Sequence, residues 1–205
     1  MTLQPSLRPL MVAGRPDAPN TLDIFLDFVC PYSAKMARTI DTLVKPKFSP
    51  GGEYDGKVKL LFRLQVQPWH SASTLTHEAA LAVARVSPEN FWKFSLALFE
   101  HQDEYFDIPT SHLTPLQIRE KLAKLAATII PADKVEQFKD LLALKSSPNG
   151  GVAVTDDLKY NIKYARQNGI HVSPTCLWDG LVANEISSGW GEKEWSEFLK
   201  NKIAI

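Results

Sequence analysis

Two short apolar runs flank an amphipathic segment in the first third of the chain. Thr21 to Phe28 (TLDIFLDF) and Val58 to Leu64 (VKLLFRL) are bounded by turn-forming residues, which predicts two buried strands. Between them apolar residues recur every four positions, so the pattern predicts a helix from about Pro31 to Val44 that Pro46 ends. Strand, helix and strand in this order indicate a parallel βαβ unit.

A helical pattern without convincing strands fills the middle of the chain. Helix starts are indicated at Ser87-Pro88, at the capping-box pattern Thr114 to Gln117, and at Pro131. Leucines and aromatic residues recur at helical spacing after each start, which is typical of core-facing helices. Residues 73–149 are therefore predicted to be a helical subdomain inserted between residues 21–72 and 150–205.

The last quarter of the chain returns to mixed helix and strand. A helix is predicted from about Val152 to Gln167 after a break at Pro148 to Gly151. Asp179-Gly180 separates the apolar runs Thr175–Trp178 and Leu181–Ile186, which predicts a hairpin. A final amphipathic helix then gives the order β-α-β, helical block, α-β-β-α. The fold class is thus α/β, and residues 1–20, which prolines and a glycine interrupt, are predicted to be a flexible or loosely packed tail.

Composition narrows the classes of protein that fit this pattern. The 205 residues are 44% hydrophobic, enough for a sizeable core in one domain. With 23 basic and 23 acidic side chains the net charge is zero, which argues against nucleic acid or an acidic membrane as partner. Two cysteines exclude a disulfide framework, and the five histidines lack metal-site spacing, so no metal is expected. No secretory leader is evident, which favours a cytoplasmic location.

Cys30 stands where the first predicted strand ends and a helix begins, in the motif Cys30-Pro31-Tyr32-Ser33. The first turn of a helix has unpaired N–H groups and a positive dipole end, which stabilise a thiolate. Ser33 lies one turn further on, where its hydroxyl is expected to donate to the sulfur. The motif therefore predicts Cys30 as a nucleophile supported by Ser33, although an inert buried cysteine fits the same four residues.

Three segments, taken with the element order, resemble the DsbA-like branch of the thioredoxin fold. They are Leu26 to Ser33, Gln67-Pro68-Trp69-His70 after the second strand, and Gly169 to Thr175 before the hairpin. The resemblance covers about residues 21–203 and implies a thioredoxin-like fold with a helical insertion after the second strand. It also implies that Pro174 follows a cis peptide bond and faces Cys30, so that Ser173 offers its backbone to a peptide or to glutathione.

The chain departs from a dithiol oxidoreductase at one position. Such enzymes use a second cysteine to resolve the mixed disulfide, and Ser33 occupies that position here. Cys30 would then act as a monothiol that glutathione or another thiol releases, or it would bind glutathione without changing redox state. The third alternative is Cys176, in the predicted third strand, as a resolving thiol; a buried, purely structural Cys176 is the competing interpretation.

The motif also resembles the kappa-class glutathione transferases and the 2-hydroxychromene-2-carboxylate isomerases. These proteins typically carry serine where Cys30 stands and use it to activate the glutathione thiol. The resemblance implies, as the alternative function, a glutathione-dependent transferase or isomerase acting on a small molecule.

Several further residues are candidates for the cleft between the two parts of the chain. Trp69 and His70 are expected to line a substrate or glutathione groove with Pro31, Tyr32, Ser173 and Pro174. A histidine there, His70 or His77, would be able to protonate a leaving thiolate. Asp27, three residues before Cys30, would be able to exchange a proton with the thiol, although a plain strand-end role fits it as well.

Three functions follow from the sequence. The first is a DsbA-like thiol-disulfide oxidoreductase with Cys30 as its single active-site cysteine. The second is the glutathione-dependent transferase or isomerase, and the third is a non-enzymatic thioredoxin-like scaffold. The expected partner is a small-molecule or peptide thiol or disulfide, with no membrane and with a homodimer left open. No tightly bound cofactor is expected, and glutathione is the candidate co-substrate.

Overall fold

A mixed five-stranded sheet forms the centre of the protein in a computed structural model that describes residues 3–203. The strands are β1 (Met11–Ala13), β2 (Asn20–Leu26), β3 (Val58–Leu64), β4 (Thr175–Trp178) and β5 (Leu181–Val182). Their spatial order is β1-β3-β2-β4-β5, in which β2 and β3 are parallel and the other neighbouring pairs are antiparallel. The two strands predicted around the first helix therefore form the parallel unit.

Helices cover both faces of this sheet. They are α1 (Pro31–Thr39), α2 (Lys45–Phe48), α3 (Ser73–Val86), α4 (Phe91–Glu100), α5 (Asp107–Thr110), α6 (Pro115–Ala127), α7 (Val135–Leu142), α8 (Thr155–Gln167) and α9 (Glu192–Lys202). None of the helices within residues 3–203 has the length and apolarity needed to cross a bilayer. The succession of α3 to α7 between β3 and α8 corresponds to the predicted helical block.

The central strand β2 is buried on both faces because each face packs against helices. Ile24 belongs to the large core that also holds Met36 of α1. Phe25, which points the other way, packs with Leu177 of β4 and with Ala165 of α8 in a separate small cluster. This double coverage explains why the strand reads as an almost continuous apolar run.

The N-terminal segment differs from the prediction of a loosely packed tail. Residues Pro5–Leu10 form a 3-10 helix in which Leu7 and Leu10 are fully buried, and β1 follows it directly. Strand β1 pairs with the outer edge of β3, where Met11 lies opposite Leu61. Pro5 and Pro9 are accommodated in the 3-10 helix, and Pro16 lies in the turn between β1 and β2.

The first helix also runs further than predicted. A wider helical turn, Ile40–Val44, follows α1, and α2 continues to Phe48. Pro46 lies in the first turn of α2, where its missing N–H removes no hydrogen bond, so it does not end the helical stretch.

The hairpin prediction is confirmed at Asp179-Gly180, since both residues have positive φ and connect β4 to β5.

Candidate functional site

Cys30 is placed by the turn that connects β2 to α1. Its N–H donates to Asp27 O at 3.1 Å, and its carbonyl accepts from the N–H of Ala34 at 3.1 Å. Gln102, from the helical block, donates its side-chain amide to the carbonyls of Phe28 (3.0 Å) and Cys30 (3.3 Å). The inserted helices therefore take part in fixing the cysteine loop.

The Cys30 thiol faces the loop before β4. The Ser173–Pro174 peptide bond is cis, as the resemblance implies. The thiol donates to the carbonyl of Ser173 at 3.4 Å, and no hydrogen bond joins it to the first turn of α1 within residues 3–203. Cys30 is only 5% exposed, so the reduced site is closed over the sulfur.

Gln67 holds the same loop from the other side. Its side-chain amide satisfies both of its neighbours when the oxygen accepts from the Ser173 N–H at 2.6 Å and the nitrogen donates to His171 O at 3.2 Å. Its own backbone N–H donates to Asp27 Oδ2 at 2.9 Å. Gln67 therefore connects the cysteine loop to the Ser173 loop, a role that the sequence did not indicate although Gln67 opens one of the three family-like segments.

Ser33 does not support the thiol in the way the sequence predicts. Its side chain is fully buried, and its hydroxyl oxygen accepts from the N–H of Asp27 at 3.2 Å. Within residues 3–203 no hydrogen bond joins this hydroxyl to the Cys30 sulfur, because α1 turns Ser33 back towards the end of β2. Ser33 stabilises the cysteine loop in this structure.

Asp27 is the most highly hydrogen-bonded side chain of the site. Its fully buried carboxylate accepts from the N–H groups of Val29 and Gln67, each at 2.9 Å. It also accepts from the Ser73 hydroxyl at 3.0 Å and lies 2.9 Å from His70 Nδ1. Residues from β2, the β3 exit and α3 thus meet on one carboxylate three residues before Cys30.

The two candidate histidines have different surroundings. His77 is fully buried, its Nδ1 lies 2.8 Å from Ser73 O, and its ring is tilted against Phe28. This places His77 in the core behind Asp27. His70 is partly exposed and lies on the wall of a surface cavity, so it is the histidine that a substrate would reach.

A cavity of about 420 Å³ opens beside the cysteine. The residues on either side of Cys30 form one side of the cavity, and the segment around α5 forms the opposite side. The lining residues are Val29, Pro31, His70, Phe106, Asp107, Ile108 and Pro109. Three large apolar side chains that adjoin Pro31, His70 and Ser173 in the sequence are exposed, namely Tyr32 (67%), Trp69 (59%) and Val172 (55%). Small-molecule sites commonly have volumes of roughly 300–1,000 Å³.

Cys176 lies in the core, away from this cavity. It is opposite Ile24 in the sheet, and its sulfur is 3.7 Å from that of Met36. Burial raises the pKa of the Cys176 thiol, which disfavours the reactive thiolate. These contacts favour the structural interpretation of Cys176.

We expect Cys176→Ala to leave the chemistry of Cys30 unchanged. Removing one buried sulfur should lower the free energy of unfolding by about 1 kcal/mol through the lost packing. Exchange rates with a model disulfide and a urea unfolding curve would measure the two effects separately. Loss of exchange in a variant that still folds would show that Cys176 takes part in the reaction.

The protein has the fold of the DsbA-like branch of the thioredoxin family. The order of the strands, the cysteine at the start of α1 and the Ser173–Pro174 loop that faces it are the features that show this. Within the described residues, no group of three or more His, Cys, Asp and Glu side chains is arranged to hold a metal ion.

Comparisons with known proteins agree with this class. A family model described as thioredoxin (Thioredoxin_4) matches residues 7–201, and the chain belongs to this family. Disulfide bond formation protein D of Bacillus subtilis is 32% identical over 101 residues, which are 49% of this chain and 43% of that protein. The chain therefore matches less than half the length of this curated relative.

Solved structures show the same fold over nearly the whole chain. A candidate protein-disulfide isomerase from Pseudomonas syringae is 28% identical, with a TM-score of 0.73 over 95% of this chain and 99% of that one. DsbA of Chlamydia trachomatis is 22% identical, with a TM-score of 0.63 over 92% of this chain and 89% of that one.

Proposed function

We propose that this protein is a thiol-disulfide oxidoreductase that reacts through Cys30 as a single thiol. The observation that carries the proposal is the Cys30 sulfur at the start of α1, 3.4 Å from the backbone carbonyl of Ser173. A substrate sulfur that reaches Cys30 would meet both a helix N-terminus and an extended backbone segment. The relatives named for disulfide formation and isomerisation support the same reaction class.

The reaction we propose has two exchange steps. The Cys30 thiol loses its proton, and the thiolate attacks one sulfur of a disulfide; the old S–S bond breaks, and the leaving thiolate is protonated. A second, external thiol then attacks the substrate sulfur of the mixed disulfide and releases Cys30 as a thiolate. The sum converts one disulfide and one thiol into a new disulfide and a new thiol.

We propose an external thiol because no second thiol lies at the site within residues 3–203. Ser33 has no sulfur, and Cys176 lies in the core beside Met36. We propose glutathione as this co-substrate, with no tightly bound cofactor, and a reducing, cytoplasmic compartment that maintains such a thiol pool. The substrate would be a small-molecule or peptide disulfide held against the exposed Tyr32, Trp69 and Val172.

Trapping the mixed disulfide tests this proposal. We expect the native protein, incubated with oxidised glutathione, to gain one glutathionyl group on Cys30 and to lose it when reduced glutathione is added. Intact mass and peptide mapping would locate the adduct, and Cys176→Ala should form it equally. Absence of any adduct on the folded protein, with both thiols reactive after denaturation, would contradict the proposal and favour the non-enzymatic scaffold, which the low exposure of Cys30 suits.

The cavity favours a second candidate, the glutathione-dependent transferase or isomerase. Its volume of about 420 Å³ suits a small organic molecule beside the cysteine. In that reaction the reactive sulfur belongs to glutathione, and residue 30 only has to donate a hydrogen bond to it. Turnover of an aromatic substrate that persists in Cys30→Ser would support this candidate.

A further inference from the structure

The orientation of the His70 ring follows from the hydrogen bonds of Asp27. Each oxygen of this carboxylate accepts a hydrogen bond from a backbone N–H, which can act only as a donor. The N–H of Val29 donates to Oδ1, and the N–H of Gln67 donates to Oδ2. The Ser73 hydroxyl adds a third donor, and His70 Nδ1 lies 2.9 Å from Oδ2. In its ionised form a carboxylate accepts only, and the 2.9 Å contact then requires a proton on His70 Nδ1.

This arrangement leaves Nε2 as the free nitrogen of the neutral ring. Because Nδ1 faces the buried carboxylate, the opposite edge of the ring faces outwards, and His70 lines the cavity together with Val29 and Pro31. Trp69 packs edge-on against the ring, with centroids 6.0 Å apart, and limits its rotation. A basic nitrogen is therefore held at the wall of the cavity beside Cys30.

A second carboxylate, that of Asp107, lines the same cavity. Asp107, at the start of α5, accepts a hydrogen bond from the Ser71 hydroxyl at 2.7 Å. This hydrogen bond lowers the pKa of Asp107. Asp107 is therefore ionised at neutral pH. With Asp27 on one side and Asp107 nearby, a proton gained at Nε2 would form an imidazolium that two carboxylates stabilise.

We propose that His70, oriented by Asp27, is the proton carrier of the exchange reaction at Cys30. The inference rests on the proposed oxidoreductase function. His70 Nε2 takes the proton that Cys30 loses and gives it to the thiolate that leaves the substrate disulfide. In the second step His70 takes the proton of the incoming thiol and returns it to the Cys30 thiolate. His70 is thus the catalytic acid and base, and Asp27 is a positioning residue.

The choice of leaving group tests this role. We expect His70→Gln to slow exchange by about 100-fold or more with glutathione mixed disulfides whose leaving thiol is a basic alkyl thiol. With a nitroaryl disulfide, whose leaving thiolate needs no proton, the loss of rate should be clearly smaller, because only the proton transfer from Cys30 is then affected. His101→Gln is the matched control, because His101 also contacts a carboxylate, that of Glu104, but lies on the exposed surface. Equal rates in His70→Gln and wild type for every leaving group would overturn the inference.

A second measurement examines the ring itself. Nitrogen chemical shifts of His70 in the folded wild-type protein should show the Nδ1–H tautomer, and an Nε2–H tautomer would overturn the inference. The outcomes also separate the two proposals. Exchange by wild type that His70→Gln leaves unaffected removes only the role of His70. A wild type that exchanges no disulfide removes the oxidoreductase function, and the role of His70 with it.

Discussion

Cys30→Ser is expected to reduce disulfide exchange by about three orders of magnitude or more, to the background rate. A serine hydroxyl does not attack a disulfide under conditions in which a thiolate does, and Cys176 is buried beside Met36 with a raised pKa. The fold should be retained, since a hydroxyl can donate to the Ser173 carbonyl as the thiol does. Initial rates with oxidised glutathione and with a mixed disulfide would measure the loss.

The comparison with Cys176→Ala makes this result specific. Each variant removes one of the two thiols, and only the loss of Cys30 should stop exchange. If Cys30→Ser retained most of the disulfide-exchange rate, Cys30 would not be the nucleophile. If the variant lost exchange but turned over an aromatic substrate with glutathione, the transferase or isomerase reaction would be the better description of the site.

Arg63→Met is expected to lower the free energy of unfolding at pH 7 by about 3–5 kcal/mol. Arg63 of β3 donates from Nε to Asp23 Oδ1 of β2 at 2.6 Å, and both side chains are almost completely buried. The guanidinium also lies over the ring of Tyr164, 4.6 Å from its centroid. Removing the cation leaves the Asp23 carboxylate buried without its counter-charge, which is the costly arrangement. Urea unfolding monitored by fluorescence would measure the change.

The pH dependence of this loss has a defined sign. Burial raises the pKa of Asp23 above its ordinary value of 3.8, and the Arg63 charge opposes that rise. Without Arg63 the folded protein binds the Asp23 proton more tightly than the unfolded chain does, so stability falls as the pH rises above the unfolded value. The deficit of Arg63→Met should therefore be largest at neutral pH and shrink at acid pH, where Asp23 is protonated.

A double variant is the control for the ion pair. Asp23→Leu with Arg63→Met replaces both charges by apolar groups and should recover much of the lost free energy. A single Arg63→Met variant that unfolds within about 1 kcal/mol of wild type, the range of an exposed ion pair, would show that the pair is not desolvated. This outcome would contradict the burial of the ion pair between β2 and β3.

The elements that local patterns define were predictable from the sequence. Strands β2 and β3, the helix starting at Pro31 and the turn at Asp179-Gly180 each carry their signal within a few neighbouring residues. Strand β1 carries none, since its pairing with β3 depends on an edge that forms only when the sheet exists. The sequence therefore predicts a loose tail, whereas Leu7 and Leu10 are core residues.

Some features of the candidate site can likewise be predicted from local sequence, and others cannot. The position of Cys30 at a helix start and the cis bond before Pro174 follow from motif and fold. The partner of Ser33 does not, because a hydroxyl one turn into a helix can face either the sulfur or the preceding backbone, and the choice depends on the turn at Asp27. The roles of Gln67, Ser73 and Gln102 depend on contacts between residues that lie 46 to 106 positions apart in the chain, and no local pattern marks them.

The hydrogen bond between the Gln67 side chain and the Ser173 loop affects which substrates can bind to that loop. An extended peptide that pairs with Ser173 would use its N–H and its carbonyl, yet the protein already occupies both, the first with Gln67 and the second with the Cys30 thiol. Each such bond has a net worth of about 1 kcal/mol. A peptide must therefore exchange hydrogen bonds with the protein rather than gain new ones. The hydrogen bonds within the free protein therefore compete with those of a bound peptide. A substrate that binds through sulfur and apolar contacts does not have to break them, so it should bind more favourably than one that binds through its backbone.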